Sequence, residues 1–217
     1  AYGVHYLSQD LAWVGTTDDD FEAGQLDLGY FAHDITVDSV NDLLVVASDE
    51  GREVVIFSVE RPDGGAVSAP TEIASISTED PAYVVRIDPY HQRLYVLTAD
   101  GTPGATTPMH VYEISDPRNP EYLTTFEVPL TASLDLDPVR QLLFATDRGA
   151  TDDLLRIYDV ADDEIVELEV SPIDLREDYP QENTNGFSAH YLKVDPWSAR
   201  VFAGRTQGTL SELIAYS

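Results

Sequence analysis

The sequence predicts an all-β protein, a β-propeller of four-stranded antiparallel blades, with four to five blades in this chain. Two observations predict it: a pattern that recurs about every 50 residues, and apolar residues that alternate with polar ones inside each copy. No segment of useful length has helical periodicity. A β-sandwich also has short strands and frequent turns, but it gives no reason for one long pattern to recur.

Each copy begins with a strand that ends on an aspartate. These aspartates are Asp38, Asp88, Asp137 and Asp195, spaced by 50, 49 and 58 residues. The residues one and three positions before each aspartate are apolar, and the residue between them is polar, as in a strand with one buried face. Proline follows the aspartate in three of the four copies, which predicts a turn there.

Three further strands are predicted in each complete copy. Second strands are centred on residues 44–46, 94–96, 143–145 and 201–203, third strands on 55–59, 110–114, 156–160 and 213–216, and fourth strands on 71–76, 122–128 and 165–170. The predicted complete blades are therefore 32–77, 82–129 and 131–170, and 188–217 is an incomplete last blade. Residues 171–187 are predicted to form a long exposed rim loop without a core strand. Residues 1–31 form a partial blade, which either closes a ring with the last blade or belongs to a larger propeller.

Two stretches resemble known propeller repeats. Val85-Arg-Ile-Asp-Pro with Arg93-Leu-Tyr-Val-Leu resembles the YVTN or lactonase-like repeat, and Val111-Tyr-Glu-Ile-Ser-Asp-Pro-Arg-Asn-Pro-Glu-Tyr-Leu resembles the LVIVD repeat of bacterial surface and exported proteins. The resemblance implies an extracytoplasmic bacterial or archaeal protein that is periplasmic, on the cell surface or secreted. Such repeats occur in lactonases, oxidoreductases and binding scaffolds alike, so they imply a fold more than an activity.

The composition excludes several classes of function. Forty acidic residues against twelve Lys and Arg give a net charge of -28, which disfavours binding to nucleic acid or to an anionic membrane surface. No apolar run is long enough to insert in a membrane as a helix. The absence of cysteine excludes disulfides and thiolate catalysis. The acidic, lysine-poor composition fits both a high-salt habitat and a GC-rich genome with a solvated acidic surface.

The candidate site lies where the first strands begin. Since strands alternate in direction, that rim also carries the second-to-third turns and the connections between blades. The candidate ligand or partner residues on this rim are His33, Tyr83, His190, Asp49, Asp100, Asp147, Asp178 and Tyr179.

His33 and His190 are the candidate metal ligands. They stand at the same position, five residues before the aspartate, and neutral imidazole suits zinc or copper. The other interpretation is a rim histidine whose ring bonds a neighbouring backbone carbonyl. Calcium at the Asp-rich turns is a further alternative, although no spaced calcium loop occurs. The baseline expectation is that no cofactor is bound.

Two functions remain open. The first is an exported scaffold that binds protein partners and has no catalysis of its own. The second is a lactonase-like or metal-dependent enzyme with its site at the same rim. Neither a Gly-x-Ser-x-Gly motif nor a phosphate-binding glycine loop occurs, so no sequence motif favours the enzyme.

Overall fold

The computed structural model describes residues 2–4, 9–16, 21–48, 50–59, 69–98, 106–129, 131–148, 153–175, 188–207 and 210–216. These residues form five antiparallel sheets. Within these ranges no helix is found, and so none that is long and apolar enough to cross a membrane. The prediction of an all-β fold made of antiparallel blades is confirmed.

The five sheets follow one another along the chain. The N-terminal sheet contains β1 (Tyr2–Val4), β2 (Asp10–Thr16) and β3 (Phe21–Asp27). The first blade contains β4 (Ala32–Asp38), β5 (Leu43–Ser48), β6 (Glu53–Ser58) and β7 (Thr71–Ser77), and the second contains β8 (Ala82–Asp88), β9 (Arg93–Thr98), β10 (Thr107–Glu113) and β11 (Glu121–Val128). The third contains β12 (Thr131–Asp137), β13 (Leu142–Arg148), β14 (Asp153–Asp159), β15 (Val166–Glu167) and β16 (Ile173–Asp174). The C-terminal sheet contains β17 (Ser188–Asp195), β18 (Arg200–Gln207) and β19 (Leu210–Tyr216).

The chain divides into two compact units. Unit 1 comprises residues 1–100 and 109–124, and unit 2 comprises residues 101–108 and 125–217. Unit 1 therefore holds the N-terminal sheet, the first blade and most of the second. Unit 2 holds the third blade and the C-terminal sheet.

The core of each unit lies between successive sheets. The second strand of a blade contributes side chains to the core on both of its faces. Side chains alternate between the two faces of a strand. In β5, Leu44 and Val46 belong to an apolar cluster with Leu11 of the N-terminal sheet. The intervening Val45 belongs to a different cluster, which it shares with Val96 of the second blade. A nearly continuous apolar strand is therefore buried on both faces, as the inner strands of stacked blades must be.

Unit 2 repeats this arrangement. Phe144 of β13 packs in one cluster with Val201 and Ala203 of β18. Phe144 is buried, and so are Val45 and Tyr95, which occupy the equivalent second-strand positions. The fourth equivalent residue, Phe202, is half-buried. The proposed strand register is thereby confirmed.

The outer edge of the third blade differs from the prediction. The continuous fourth strand expected at 165–170 is replaced by β15 and β16, two short strands that both pair with β14. Between them the chain turns, with a hydrogen bond from Ser171 N to Leu168 O (2.9 Å) and a cis peptide bond before Pro172. The expectation that residues 171–187 contain no core strand is wrong for their first part, because Ile173 pairs with Leu155 and Leu175 is fully buried. Residues 176–187 lie outside the described part of the chain.

The N-terminal sheet has hydrogen bonds equivalent to those of part of a blade. The amide of Leu28, just after β3, donates to Gln9 O, just before β2, at 2.7 Å. In the first blade the amide of Thr78 donates to Arg52 O in the same way, at 2.8 Å, after the fourth strand and before the third. The strands β2 and β3 thus match the third and fourth strands of a blade, whereas β17 to β19 match the first three.

Candidate functional site

Within each blade the described strands have the geometry that the predicted rim requires. The start of the first strand pairs with the end of the second, as in Ala32 with Ser48 and Thr131 with Asp147. Each first strand also has a register shift, a β-bulge, near its start. The bulges lie at His33, at Tyr83, at 132–133 and at His190. The position that the sequence singles out, five residues before the aspartate, is therefore a conformationally distinct point in every copy, and bulges of this kind commonly re-aim side chains at strand ends.

The structure brings His33 and Tyr83 together in unit 1. The Nδ1 atom of His33 lies 2.9 Å from the backbone oxygen of Tyr83, and the two rings meet edge to face with centroids 4.5 Å apart. Since a carbonyl only accepts hydrogen bonds, Nδ1 of His33 is the donor in this contact. This is the carbonyl-bonded arrangement that the sequence offered as the alternative to metal binding.

The other predicted site residues are placed less completely. His190 lies in β17 and Asp147 in β13, and only their backbones are described. Asp49, Asp100, Asp178 and Tyr179 lie outside the described residues. Among the residues whose placement is described, no three His, Cys, Asp or Glu side chains are grouped as a metal site would require.

Carboxylates on the first strands join neighbouring sheets within each unit. In unit 1, Asp34 Oδ2 accepts from Val85 N (3.0 Å) and from Arg86 (2.6 Å). In unit 2, Asp135 Oδ2 accepts from Val194 N at 2.8 Å, and Lys193 Nζ lies 3.6 Å from Asp135 Oδ1. These charged side chains therefore link the inner strands, and the prediction did not pair them because the two partners are more than 50 residues apart in sequence.

The repeated aspartates hold the turn between the first and second strands. In all four copies Oδ1 accepts the backbone amides two and three residues later, at 2.8 to 3.3 Å. The other oxygen, Oδ2, accepts from the side chain three residues later, which is Asn41, His91, Arg140 or Ser198. The Ser198 hydroxyl, which donates to Asp195, holds the pKa of that carboxyl below its ordinary value.

The fourth residue after each aspartate has a left-handed backbone. These residues are Asp42, Gln92, Gln141 and Ala199, with φ between 53° and 56°. The first three also accept a backbone hydrogen bond from the residue that follows the third strand, at 2.7 to 3.0 Å. Each turn is thus held by its aspartate and, in the three blades, tied to the third strand as well.

Consecutive turns are also joined within each unit. Asn41 Nδ2 donates to Pro89 O at 3.3 Å in unit 1, and Arg140 donates to Pro196 O at 2.7 Å in unit 2. Two neighbouring turns are therefore linked by a hydrogen bond in each unit. We call these two pairs the turn surfaces, made of residues 39–42 with 89–92 and of residues 138–141 with 196–199.

The turn surfaces carry exposed apolar side chains at one repeated position. The second residue after each aspartate is Val40, Tyr90, Val139 or Trp197, and all four are exposed. The prediction did not identify this position as functional. The signal was present in the alignment of the four copies, as a large apolar residue inside a polar turn.

Comparisons with known proteins support the fold. No protein-family model and no curated protein sequence matches the chain. Among solved structures, the chain is similar over its full length to a protein from Lactobacillus plantarum (TM-score 0.70, 16% identity, 63% of that chain covered) and to a functionally unknown protein from Desulfotomaculum acetoxidans (0.67, 17%, 65%). It is also similar, over 99% of its length, to a candidate 6-phosphogluconolactonase from Bacteroides uniformis (TM-score 0.64, 11% identity, 66% of that chain covered).

These similarities support a β-propeller fold. At identities of 11 to 17% they show the fold alone. The chain spans 63 to 66% of the length of these three solved proteins.

Proposed function

We propose that this chain is a protein-interaction module of an exported scaffold, and that it binds another protein through its turn surfaces without catalysis of its own. The observation that carries this proposal is the exposed apolar residue that recurs in each first-to-second-strand turn. The fractional exposures are 59% for Val40, 57% for Tyr90, 56% for Val139 and 87% for Trp197.

Folding gives no reason for an apolar side chain at this position. The turn needs a hydrogen-bond acceptor, which the aspartate supplies, and a left-handed backbone two residues after the apolar position, which another residue supplies. Neither requirement involves the side chain of the apolar residue. The backbone amide of the apolar residue is bound, but its side chain is solvated. One exposed apolar residue is ordinary, whereas one at the same position in four copies supports the proposal that this surface is used for contact.

The turn surfaces are also pre-organised for binding. The aspartate hydrogen bonds and the links between turns hold the backbone before a partner arrives, so little conformational entropy is lost on association. Tyr and Trp are the residue types that contribute most to protein interfaces. Tyr90 and Trp197 are therefore the expected anchors of the two surfaces.

The surroundings of the anchors indicate the chemistry of the partner. In unit 2 the Arg140 guanidinium donates to Asp137 and to Pro196 O, next to Trp197, so its charge is paired within the turn surface. A partner that offers apolar pockets for Tyr90 and Trp197 would complement the turn surfaces.

Site-specific photocrosslinking in cells of the source organism tests the proposal. A photoreactive phenylalanine analogue replaces Tyr90 or Trp197 in the full chain, and Tyr122, which is 59% exposed on the outer strand β11, is the matched control. We expect position 90 or 197 to form an adduct with one defined protein that position 122 does not form. Adducts of equal yield and composition at all three positions, or none at 90 and 197, would contradict the proposal.

A lactonase-like enzyme is the second candidate, and the candidate 6-phosphogluconolactonases among the similar structures favour it. Its site would lie at the start of a first strand, either at the bulge that holds His33 in unit 1 or at the bulge that holds His190 in unit 2. Hydrolysis of 6-phosphogluconolactone by the purified chain, lost in the His33→Ala or the His190→Ala variant, would support it. Elemental analysis for stoichiometric copper, zinc or calcium tests the metal-dependent form.

A further inference from the structure

Unit 1 has a cleft beside the connection that joins β3 to the first blade, and neither the candidate site residues nor the turn-surface residues line it. The cleft has a volume of about 310 Å³ and is bordered by the end of β3, the residues that follow it, and the start of β7. Leu26, Leu28 and Phe57 form its apolar walls, and Asp27, Glu72 and Tyr30 supply polar groups. This volume is at the lower end of the range found for small-ligand sites.

The polar groups of the cleft favour positive charge. Asp27 and Glu72 are carboxylates, and no Lys, Arg or His is among the residues that line the cleft. The Tyr30 hydroxyl oxygen is buried and has no hydrogen-bond partner among the described residues. Burial raises the pKa of Tyr30 above its ordinary value, and the nearby carboxylates of Glu53 and Glu72 raise it further. The potential at the cleft is therefore negative, and a buried polar group there lacks a partner.

The composition of the cleft indicates which cation fits. A calcium ion needs six to eight oxygen ligands, and two carboxylates beside apolar walls do not supply them. An ammonium group on an aliphatic stem matches both the apolar walls and the carboxylates of the cleft. Its stem packs on leucine and phenylalanine while its charge faces the carboxylates. We propose that this cleft binds an aliphatic ammonium group, carried either by a lysine side chain of another protein or by a free amine.

Titration with n-butylammonium chloride at constant ionic strength tests this site, followed by the methyl NMR signals of Leu26 and Leu28 in the full chain. n-Butanol is the uncharged probe of the same length. We expect saturable shifts with butylammonium and weaker binding of butanol. Glu72→Gln should lower the butylammonium affinity by about fivefold, the size of one partly solvated ion pair, and Tyr30→Phe should also lower it.

Glu121→Gln is the matched control, because Glu121 is an exposed glutamate at the start of the next outer strand, β11. It removes the same charge and should leave the affinity within twofold. A loss in Glu121→Gln equal to that in Glu72→Gln would show general attraction by the acidic surface and overturn the site. Equal binding of butanol and butylammonium, or wild-type affinity in both Glu72→Gln and Tyr30→Phe, would also overturn it.

A second arm identifies the source of the ammonium group. Lysine with its amino and carboxyl groups blocked mimics a residue in a protein chain. Tighter binding of this compound than of butylammonium assigns the cleft to a protein partner, and tighter binding of butylammonium assigns it to a free amine. The test does not involve Tyr90 or Trp197, so it succeeds or fails independently of the turn surfaces.

Discussion

Asp88 illustrates how the repeated aspartate stabilises the turn after the first strand in each copy of the repeat. Its carboxylate is fully buried, yet it accepts from the amides of Tyr90 (2.9 Å) and His91 (3.1 Å) and from the His91 ring. A buried carboxylate is tolerated because these donors replace water. The aspartate that marks the repeat in the sequence therefore has a structural role in the turn that follows it.

Replacing Asp88 by alanine should destabilise the protein strongly. Asp88→Ala leaves two backbone amides without their acceptor, and we expect the free energy of unfolding to fall by about 2 to 4 kcal/mol in chemical denaturation. Asp116→Ala is the control, because Asp116 is exposed and accepts one amide, from Arg118 at 3.1 Å. That variant should lose less than about 1 kcal/mol, and equal losses in the two variants would contradict the role assigned to the repeated aspartate.

Tyr95 predicts how stability depends on alkaline pH. Burial raises the pKa of its hydroxyl from 10.0 to about 12. Between these values the unfolded chain loses the proton while the folded chain keeps it, so stability is complete below pH 10 and falls as the pH rises. One such group contributes a slope of about 1.4 kcal/mol per pH unit.

Chemical denaturation between pH 9 and 11.5 measures this slope. In Tyr95→Phe the decrease above pH 10 should be smaller, because the variant has no buried phenol at this place to ionise. Tyr90→Phe, which changes an exposed tyrosine, should keep the wild-type slope. If the slope in Tyr95→Phe equals that of the wild type, ionisation of Tyr95 does not cause the loss of stability above pH 10.

At the scale of elements, the stability of the outer edge of the third blade depends on β16 and the residue after it as well as on β15. Leu175, just after β16, is fully buried in the cluster that contains Phe144 and Leu192. Leu175→Ala should therefore cost about 2 to 5 kcal/mol of unfolding free energy, and Phe144→Ala about 3 to 5 kcal/mol. Val170→Ala is the control, since Val170 is 68% exposed in the turn between β15 and β16.

The packing of Leu175 also determines how a deletion in this segment should affect stability. Removing residues 171–187 takes away Ile173 and Leu175, so we expect it to destabilise the fold, whereas removing 177–186 should leave the described core strands in place. The thermal midpoints of the two deletion variants compare these effects. Similar midpoints for both would show that the packing of Leu175 contributes little.

Much of the blade arrangement could be predicted because its signals are local. An apolar alternation, an aspartate and a turn recur within a few residues, so the first and second strands and the register of Phe144 follow from spacing alone. The contact of Ile173 and Leu175 with the core could not be predicted from the sequence. These residues follow a proline in an acidic stretch, and no local pattern shows that they fold back onto β14.

The candidate site was predictable to a smaller extent. Spacing identified His33 and Tyr83 as equivalent positions, and both lie at bulges, but the bond from the His33 ring to the Tyr83 carbonyl depends on how neighbouring blades pack. The pairing of Asp34 with Arg86 depends on packing in the same way. The exposed residues of the turn surfaces needed the structure for a different reason, because an apolar residue beside a strand is normally expected to be buried.

At the scale of the whole molecule, charge should govern stability. With a net charge of -28, acidic side chains repel one another most at low ionic strength, where the Debye length is about 30 Å at 0.01 M salt. We expect the thermal midpoint to rise with monovalent salt through the sub-molar range. A midpoint that does not change from low to molar salt would contradict the high-salt interpretation of the composition and leave the fold unaffected.

The central claim is that the apolar residues of the turn surfaces serve binding and not folding. The most direct test is the dissociation constant, measured by calorimetry, between the purified partner found by photocrosslinking and a Tyr90→Ser, Trp197→Ser double variant. We predict at least about a 100-fold loss of affinity relative to the wild type, because two aromatic anchors are removed from pre-organised turns. An affinity within twofold of the wild type, in a variant whose unfolding free energy is unchanged, would contradict the claim.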